Sequence, residues 1–150
     1  MTCKEHAALA GRLVVGIVLV YAGASKAAGP AEEVAYIISA YDVIPRDFTL
    51  PAAALMPWIE LFVGWALILG FQTRLAAAAA GAIFLAFLGA VGSTVLRGIT
   101  LPNCGCFGDS LHLTAGQAFV MDLCMSGLCW LAWRESSSPA SLDRWTQRGL

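Results

Sequence analysis

Four long apolar segments dominate the pattern of hydrophobic and polar positions along the chain. A helix needs roughly 20 mostly apolar residues to cross a bilayer, and each segment approaches that length. The pattern therefore predicts an all-α membrane protein, built as a bundle of four transmembrane helices. The predicted spans run near residues 9–24, 51–71, 75–96 and 115–133.

The connections between the spans differ in length and character. Gln72-Thr73-Arg74 is short enough for a tight turn, so we expect the second and third spans to be antiparallel neighbours. The connection before the second span is longer and contains an amphipathic stretch over residues 31–41. Its apolar residues recur at helical spacing, which predicts a short helix lying on the membrane surface. That apolar face consists of Val34, Ile37, Ile38 and Tyr41.

Small residues recur every fourth position in the third span. Such a stripe lets helix backbones approach closely in lipid, so we expect this face to pack against a neighbouring helix. The stripe consists of Ala78, Ala82, Ala86 and Ala90.

Composition agrees with a chain that is partly solvated by lipid. Hydrophobic residues make up 59% of the 150 residues and charged residues 13%, whereas a soluble domain carries about 25% charged residues. The net charge of -1 gives no electrostatic basis for binding nucleic acid. The lipid bilayer is therefore the expected partner, with one membrane domain over residues 1–134 and a tail over residues 135–150.

The distribution of lysine and arginine predicts the orientation. Cytoplasmic loops carry an excess of these residues, and the excess places both termini in the cytoplasm and the loop after the third span outside it. A competing interpretation takes Lys4 to Ala24 as a signal peptide with a small-residue cleavage site. With the N-terminus inside, the inner side holds Lys4, Arg12, Arg74, Arg134, Arg144 and Arg148, and the outer side holds Lys26, Arg46 and Arg97.

Two of the five cysteines, Cys104 and Cys106, lie in this extracytoplasmic loop. They can form a disulfide only through a sharp turn, which Gly105 permits because it has no Cβ. A bond in so small a ring is strained, and strained disulfides exchange readily. A structural disulfide, bonds to partner chains, and a metal site with His112 or Asp109 are the alternatives.

The remaining cysteines carry less functional signal. Cys124 and Cys129 lie in the fourth span, five residues apart, and so do not share a helix face. We expect both to be small buried apolar side chains. Cys3 precedes the first span on the cytoplasmic side and is expected to be a free thiol.

Ionisable residues inside membrane spans are costly, and they are therefore functional candidates. Glu60 lies near the middle of the second span and Asp122 at a similar depth in the fourth, so the two carboxylates could face each other and share a proton. Lys26 can reach toward Glu60, and a purely structural Lys26–Glu60 pair is the alternative. The three residues suit a proton relay or the binding of a polar headgroup such as that of a quinone.

Three segments of the chain form a recognisable pattern: a glycine pattern around the first span, a Pro-Glu-Gly core in the second, and the segment around the two cysteines. Their residues are Arg12, Gly16, Gly23 and Lys26; Pro57-Trp58-Ile59-Glu60-Leu61 with Gly64 and Gly70; and Arg97-Gly98 with Cys104-Gly105-Cys106-Phe107-Gly108. In these segments the chain resembles the MauE family (methylamine utilisation protein MauE) within the DoxX-like membrane proteins. The segment around the two cysteines carries most of the likeness.

The resemblance implies a four-helix protein of the bacterial cytoplasmic membrane that helps to mature the disulfide-rich small subunit of methylamine dehydrogenase. A periplasmic thioredoxin-like protein and a secreted disulfide-containing client are the implied partners. Together with the residues, it suggests a thiol–disulfide oxidoreductase acting through Cys104 and Cys106, with a quinone near Glu60, Lys26 and Asp122. The alternatives are a scaffold or chaperone with a structural disulfide, and a transporter of a metal or small solute.

Overall fold

A computed structural model describes residues 3–98 and 114–134 of the chain. Within these ranges the chain forms five α-helices and no strand. Four of them, α1, α3, α4 and α5, are long and apolar enough to cross a membrane, which confirms the predicted four-helix architecture. The helices are α1 (Cys3–Ala28), α2 (Ala31–Tyr41), α3 (Thr49–Leu69), α4 (Thr73–Leu96) and α5 (Ala115–Arg134), with a 3-10 turn at Arg46–Phe48.

The turn between α3 and α4 is tight, as the sequence predicts. Gly70 adopts the left-handed conformation (φ 69°) at the end of α3. Its N–H donates to the Leu67 carbonyl, and the Phe71 N–H donates to the Ala66 carbonyl. These two bonds form a Schellman motif, which satisfies the last carbonyls of the helix. The chain thus reverses within three residues, and α3 and α4 contact each other.

The closest helix contact is between α1 and α3, where glycines bring the backbones together. A Cβ at Gly23 would lie 2.7 Å from the Pro57 carbonyl oxygen, and one at Gly64 would lie 2.9 Å from the Gly16 carbonyl oxygen. Atoms cannot approach so closely without a backbone shift, so only glycine fits. α1 and α3 are therefore held at a fixed distance and register by their backbones.

The predicted role of the alanine stripe in α4 is wrong. Ala78, Ala82 and Ala86 are exposed rather than packed on a helix. The buried small residues of α4 are Ala76, Ala77 and Ala80, which join the main core with Phe84 and residues of α1, α3 and α5. Because alanine occupies every position from 76 to 80, small size could not indicate which face turns inward.

Helix α2 has the predicted bounds, and its apolar face is turned toward the bundle. Val34 packs near Ala53 of α3, and Tyr41 packs with Ala22 of α1 and Val91 of α4. The end of α2 is also tied to the end of α4, since the Arg97 guanidinium donates to the Tyr41 carbonyl. The helix thus covers the end of the bundle where α1 ends and α3 begins.

Candidate functional site

A buried ion pair between α1 and α3 forms the centre of the site. Lys26 Nζ lies 2.8 Å from one carboxylate oxygen of Glu60 and 2.9 Å from the other. Both side chains are only 1% exposed. Lys26 is in the last turn of α1, one turn after Gly23, whose close contact with α3 brings the two side chains within reach. The structure thus shows the pairing that the sequence suggested.

Asp122 joins this pair from α5. Its side chain is buried, and within residues 3–98 and 114–134 its Oδ2 atom has no hydrogen-bond partner. Asp122 and Glu60 line one small cavity of about 10 Å³, which is room for about a single water molecule. The structure therefore brings the three predicted residues Lys26, Glu60 and Asp122 together, although Glu60 is bonded to Lys26 rather than directly to Asp122.

Tyr41 of α2 is a fourth polar member that the sequence did not single out. Burial, and secondly the charge of Asp122, raise the pKa of Tyr41 to about 12. Its hydroxyl therefore keeps its proton at neutral pH and can act as a hydrogen-bond donor. In the sequence, Tyr41 falls on the predicted apolar face of α2. A tyrosine that only packs in the core gives the same pattern, so the pattern did not mark Tyr41 as a site residue.

On one side of this cluster lies an apolar groove with a volume of about 430 Å³. Helices α2, α3 and α4 form its walls, and its polar side chains are Tyr41 and Glu60. Phe87 also lines the groove, and its ring centroid lies 5.4 Å from Lys26 Nζ. Nothing in the sequence distinguished Phe87 from the other apolar residues of α4.

On the other side lies a polar pocket of about 570 Å³ between the end of α1 and α2. Ser25, Lys26, Glu32 and Glu33 supply its polar lining. The two members of the ion pair therefore face different environments, because Lys26 borders the polar pocket and Glu60 borders the apolar groove.

The cysteines fall into two groups. Cys104 and Cys106 lie outside the described residues, as do His112 and Asp109 of the alternative metal site. Cys129 is buried in the main core, as predicted, and Cys124 is exposed, so the prediction that it is buried is wrong. Five residues span almost one and a half helical turns, so the two side chains point in different directions. The described ranges hold no group of three potential metal ligands.

Comparisons with known proteins agree on one family. The family model described as methylamine utilisation protein MauE matches residues 4–134. The methylamine utilization protein MauE of Methylophilus methylotrophus is 34% identical over 99 residues, which cover 66% of this chain and 52% of the relative. The protein of the same name from Methylorubrum extorquens is 30% identical over 105 residues, which cover 67% of this chain and 56% of the relative. The chain thus spans about half the length of these curated relatives. No solved structure matches it.

Proposed function

The chain belongs to the family of the methylamine utilisation protein MauE, and from that membership we propose that it promotes disulfide formation in an extracytoplasmic client through Cys104 and Cys106. The four apolar helices and the family membership support a multi-pass bacterial membrane protein. The observation that carries the proposal is the position of the two cysteines. They lie within the matched region, in the segment that joins α4 to α5.

The surroundings of this segment support the proposal. The segment leaves the bundle at Arg97 and Gly98 and returns at Thr114, and Arg97 donates to the carbonyl at the end of α2. Since α1 ends and α3 begins under α2, both ends of the segment lie on the same side of the bundle as Lys26. The predicted orientation makes this the extracytoplasmic side, where disulfides persist.

The exchange step moves two electrons and two protons from the client dithiol to the Cys104–Cys106 disulfide. A client thiolate attacks one sulfur of a Cys104–Cys106 disulfide, and the other sulfur leaves as a thiolate and takes up a proton. A second client thiolate then attacks the mixed disulfide and releases the remaining cysteine. The client dithiol is oxidised to a disulfide, and Cys104 and Cys106 are reduced to two thiols.

The client and its carrier are proposed from the family. The names of the relatives connect them to methylamine utilisation, which points to the small subunit of methylamine dehydrogenase as the client. A periplasmic thioredoxin-like protein would undergo the same two-step exchange with Cys104 and Cys106, and would then pass the disulfide on to the client. A complex of this chain with such a protein should accumulate when one of the two cysteines is replaced and the mixed disulfide cannot resolve.

The experiment compares three variants in intact cells: Cys104→Ser, Cys106→Ser and Cys124→Ser. Thiol trapping of the client with a mass-shifting maleimide reports how much of it is oxidised. We expect either loop variant to leave the client reduced, and Cys124→Ser to match the wild type, since Cys124 is an exposed residue on α5. Full oxidation of the client in the double variant Cys104→Ser with Cys106→Ser would overturn the proposal.

A further inference from the structure

The small cavity between Glu60 and Asp122 lies at the centre of the bundle. All four long helices contribute to its wall, which includes Leu19 of α1, Glu60 of α3, Phe84 of α4 and Asp122 of α5. Each of these four side chains is buried. An occupant of the cavity would therefore contact every membrane-spanning helix of the described chain, and the two carboxyl groups would be the polar part of its surroundings.

The carboxylate of Asp122 indicates that the cavity holds a ligand. Its side chain is 1% exposed, and its Oδ2 atom finds no hydrogen-bond partner among the residues that the structure describes. Burying a polar atom without a hydrogen bond is costly, and the large majority of buried polar atoms in proteins are bonded either to the protein or to an ordered water molecule. Asp122 lines the cavity, so a ligand bound there can supply the missing donor.

The size and chemistry of the cavity select water as that ligand. Its volume of about 10 Å³ excludes an organic molecule and admits about one water molecule. Calcium and magnesium take about six or more oxygen ligands, whereas the wall beyond the two carboxyl groups is apolar, and the described ranges hold no group of three potential metal ligands. A water molecule carries two O–H donors, and the cavity presents two carboxylates that can accept them.

Glu60 can accept a hydrogen bond from this water without leaving Lys26. The Lys26 ammonium group donates to both oxygens of Glu60. An ionised carboxylate offers about four acceptor positions on its two oxygens, so the ion pair leaves acceptor capacity on Glu60. The water would thus span the gap between two carboxylates that line one cavity without bonding to each other.

We propose that one water molecule resides in this cavity and donates one hydrogen bond to Asp122 Oδ2 and one to the Glu60 carboxylate. The water ties α5 to the ion pair that joins α1 and α3. It also completes a hydrogen-bonded chain that begins at the polar pocket beside Lys26 and ends at Asp122, inside the bundle. The inference goes beyond the proposed function and does not depend on Cys104 and Cys106.

The test uses the full chain with isotope-labelled aspartate in lipid bilayers. Solid-state NMR measures the transfer of magnetisation from water protons to each aspartate carboxyl carbon, and Asp122→Asn identifies the Asp122 resonance by removing it. We expect this buried carbon to receive magnetisation from water. Ala22→Ser places a hydroxyl group in the cavity and should reduce the transfer several-fold, because Ala22 lines the cavity. Ala66→Ser is the matched control, since Ala66 is buried in the main core away from the cavity, and it should leave the transfer unchanged.

Two results in this experiment would overturn the water site. One is the absence of transfer to Asp122 in the wild type, which would mean that the cavity is dry. The other is equal transfer in Ala22→Ser and Ala66→Ser, which would mean that water reaches Asp122 by another route. The wild-type measurement decides the first point even if Ala22→Ser does not fold.

The bridge to Glu60 has a test of its own in the same sample. Glu60→Gln changes one end of the bridge, so we expect the Asp122 carboxyl resonance to shift in that variant. Glu32→Gln is the control, since Glu32 is exposed and does not line the cavity, and it should leave the resonance in place. An Asp122 resonance that is the same in both variants would show that no water connects Asp122 to Glu60.

Discussion

The α1–α3 interface and the α4–α5 interface are built differently. α1 and α3 touch through glycine backbones, where added methyl groups would clash with carbonyl oxygens. Between α4 and α5 the fit is looser, since a Cβ at Gly81 would lie 3.5 Å from Cys129, and one at Gly92 would lie 3.7 Å from Phe119. The rigid interface holds the Lys26–Glu60 pair. The looser interface is formed by the two helices that precede and follow the segment with Cys104 and Cys106.

This difference indicates a division of roles. A buried ion pair must keep its geometry to offset the cost of removing its charges from water, and backbone contact between α1 and α3 provides that constancy. The α4–α5 interface contains no such pair among the described residues and has no such requirement. We therefore expect substitutions at the α1–α3 interface to change stability strongly, and substitutions at the α4–α5 interface to change it weakly.

The largest effect is expected from breaking the ion pair on one side only. Glu60→Ala removes the carboxylate to which the buried Lys26 ammonium group is bonded, and breaking a buried ion pair on one side costs about 3–5 kcal/mol. Replacing both partners, Lys26→Met with Glu60→Met, should recover most of that loss because neither member of the pair then remains without the other. The free energy of unfolding in a mixed-micelle titration measures both variants.

The exposed carboxylate of α2 supplies the control for this measurement. Glu32 lines the polar pocket but is exposed, so Glu32→Ala should change stability by less than about 0.5 kcal/mol. A single variant Glu60→Ala as stable as Glu32→Ala would mean that the pair is not buried as the structure has it. Loss of client oxidation in a stable double variant would show that the pair has more than a structural role.

A smaller effect is expected from adding one methyl group at each interface. Gly23→Ala should cost about 1–3 kcal/mol, because the methyl group meets the Pro57 carbonyl oxygen and the helices must separate. Gly92→Ala meets Phe119 of α5 only at an ordinary contact distance of 3.7 Å and should be neutral or stabilise the protein by up to about 1 kcal/mol, since alanine favours a helix. The unfolding midpoints of the two variants compare the interfaces directly. Equal midpoints would mean that the α1–α3 interface is no more tightly packed than the α4–α5 interface.

Much of the fold followed from the sequence because lipid imposes a simple pattern. Long apolar runs predicted the four spans, and the 3.6-residue period of residues 31–41 predicted α2 with the bounds that the structure has. The meeting of Lys26 and Glu60 was also predictable, because few charges lie within the spans and a lysine side chain is long enough to reach toward a carboxylate on another helix.

Other features depended on helix rotation, which a uniform apolar sequence does not encode. Lipid-facing and buried positions are both apolar, so Cys124 and the stripe of Ala78 and Ala82 were expected on the wrong side. For the same reason Phe87 carried no signal. Tyr41 became part of the site only because α2 turns its apolar face toward α3 and α4, a contact between elements that no local pattern specifies.

Only a small change in stability is expected for Asp122→Asn, the test of whether the looser half contributes to the site. Asn has nearly the same shape, and the Oδ2 atom of Asp122 has no hydrogen-bond partner in the described ranges, so we expect a shift below about 1 kcal/mol. Client oxidation, measured by thiol trapping, should nevertheless fall if the two carboxylates relay protons, because an amide cannot share a proton with Glu60. Asp122→Glu restores a carboxylate and should recover part of the rate. If the Asn and Glu variants both oxidise the client as the wild type does, the exchange reaction does not involve Asp122, and α5 supplies only apolar packing beside a site made by α1, α2 and α3.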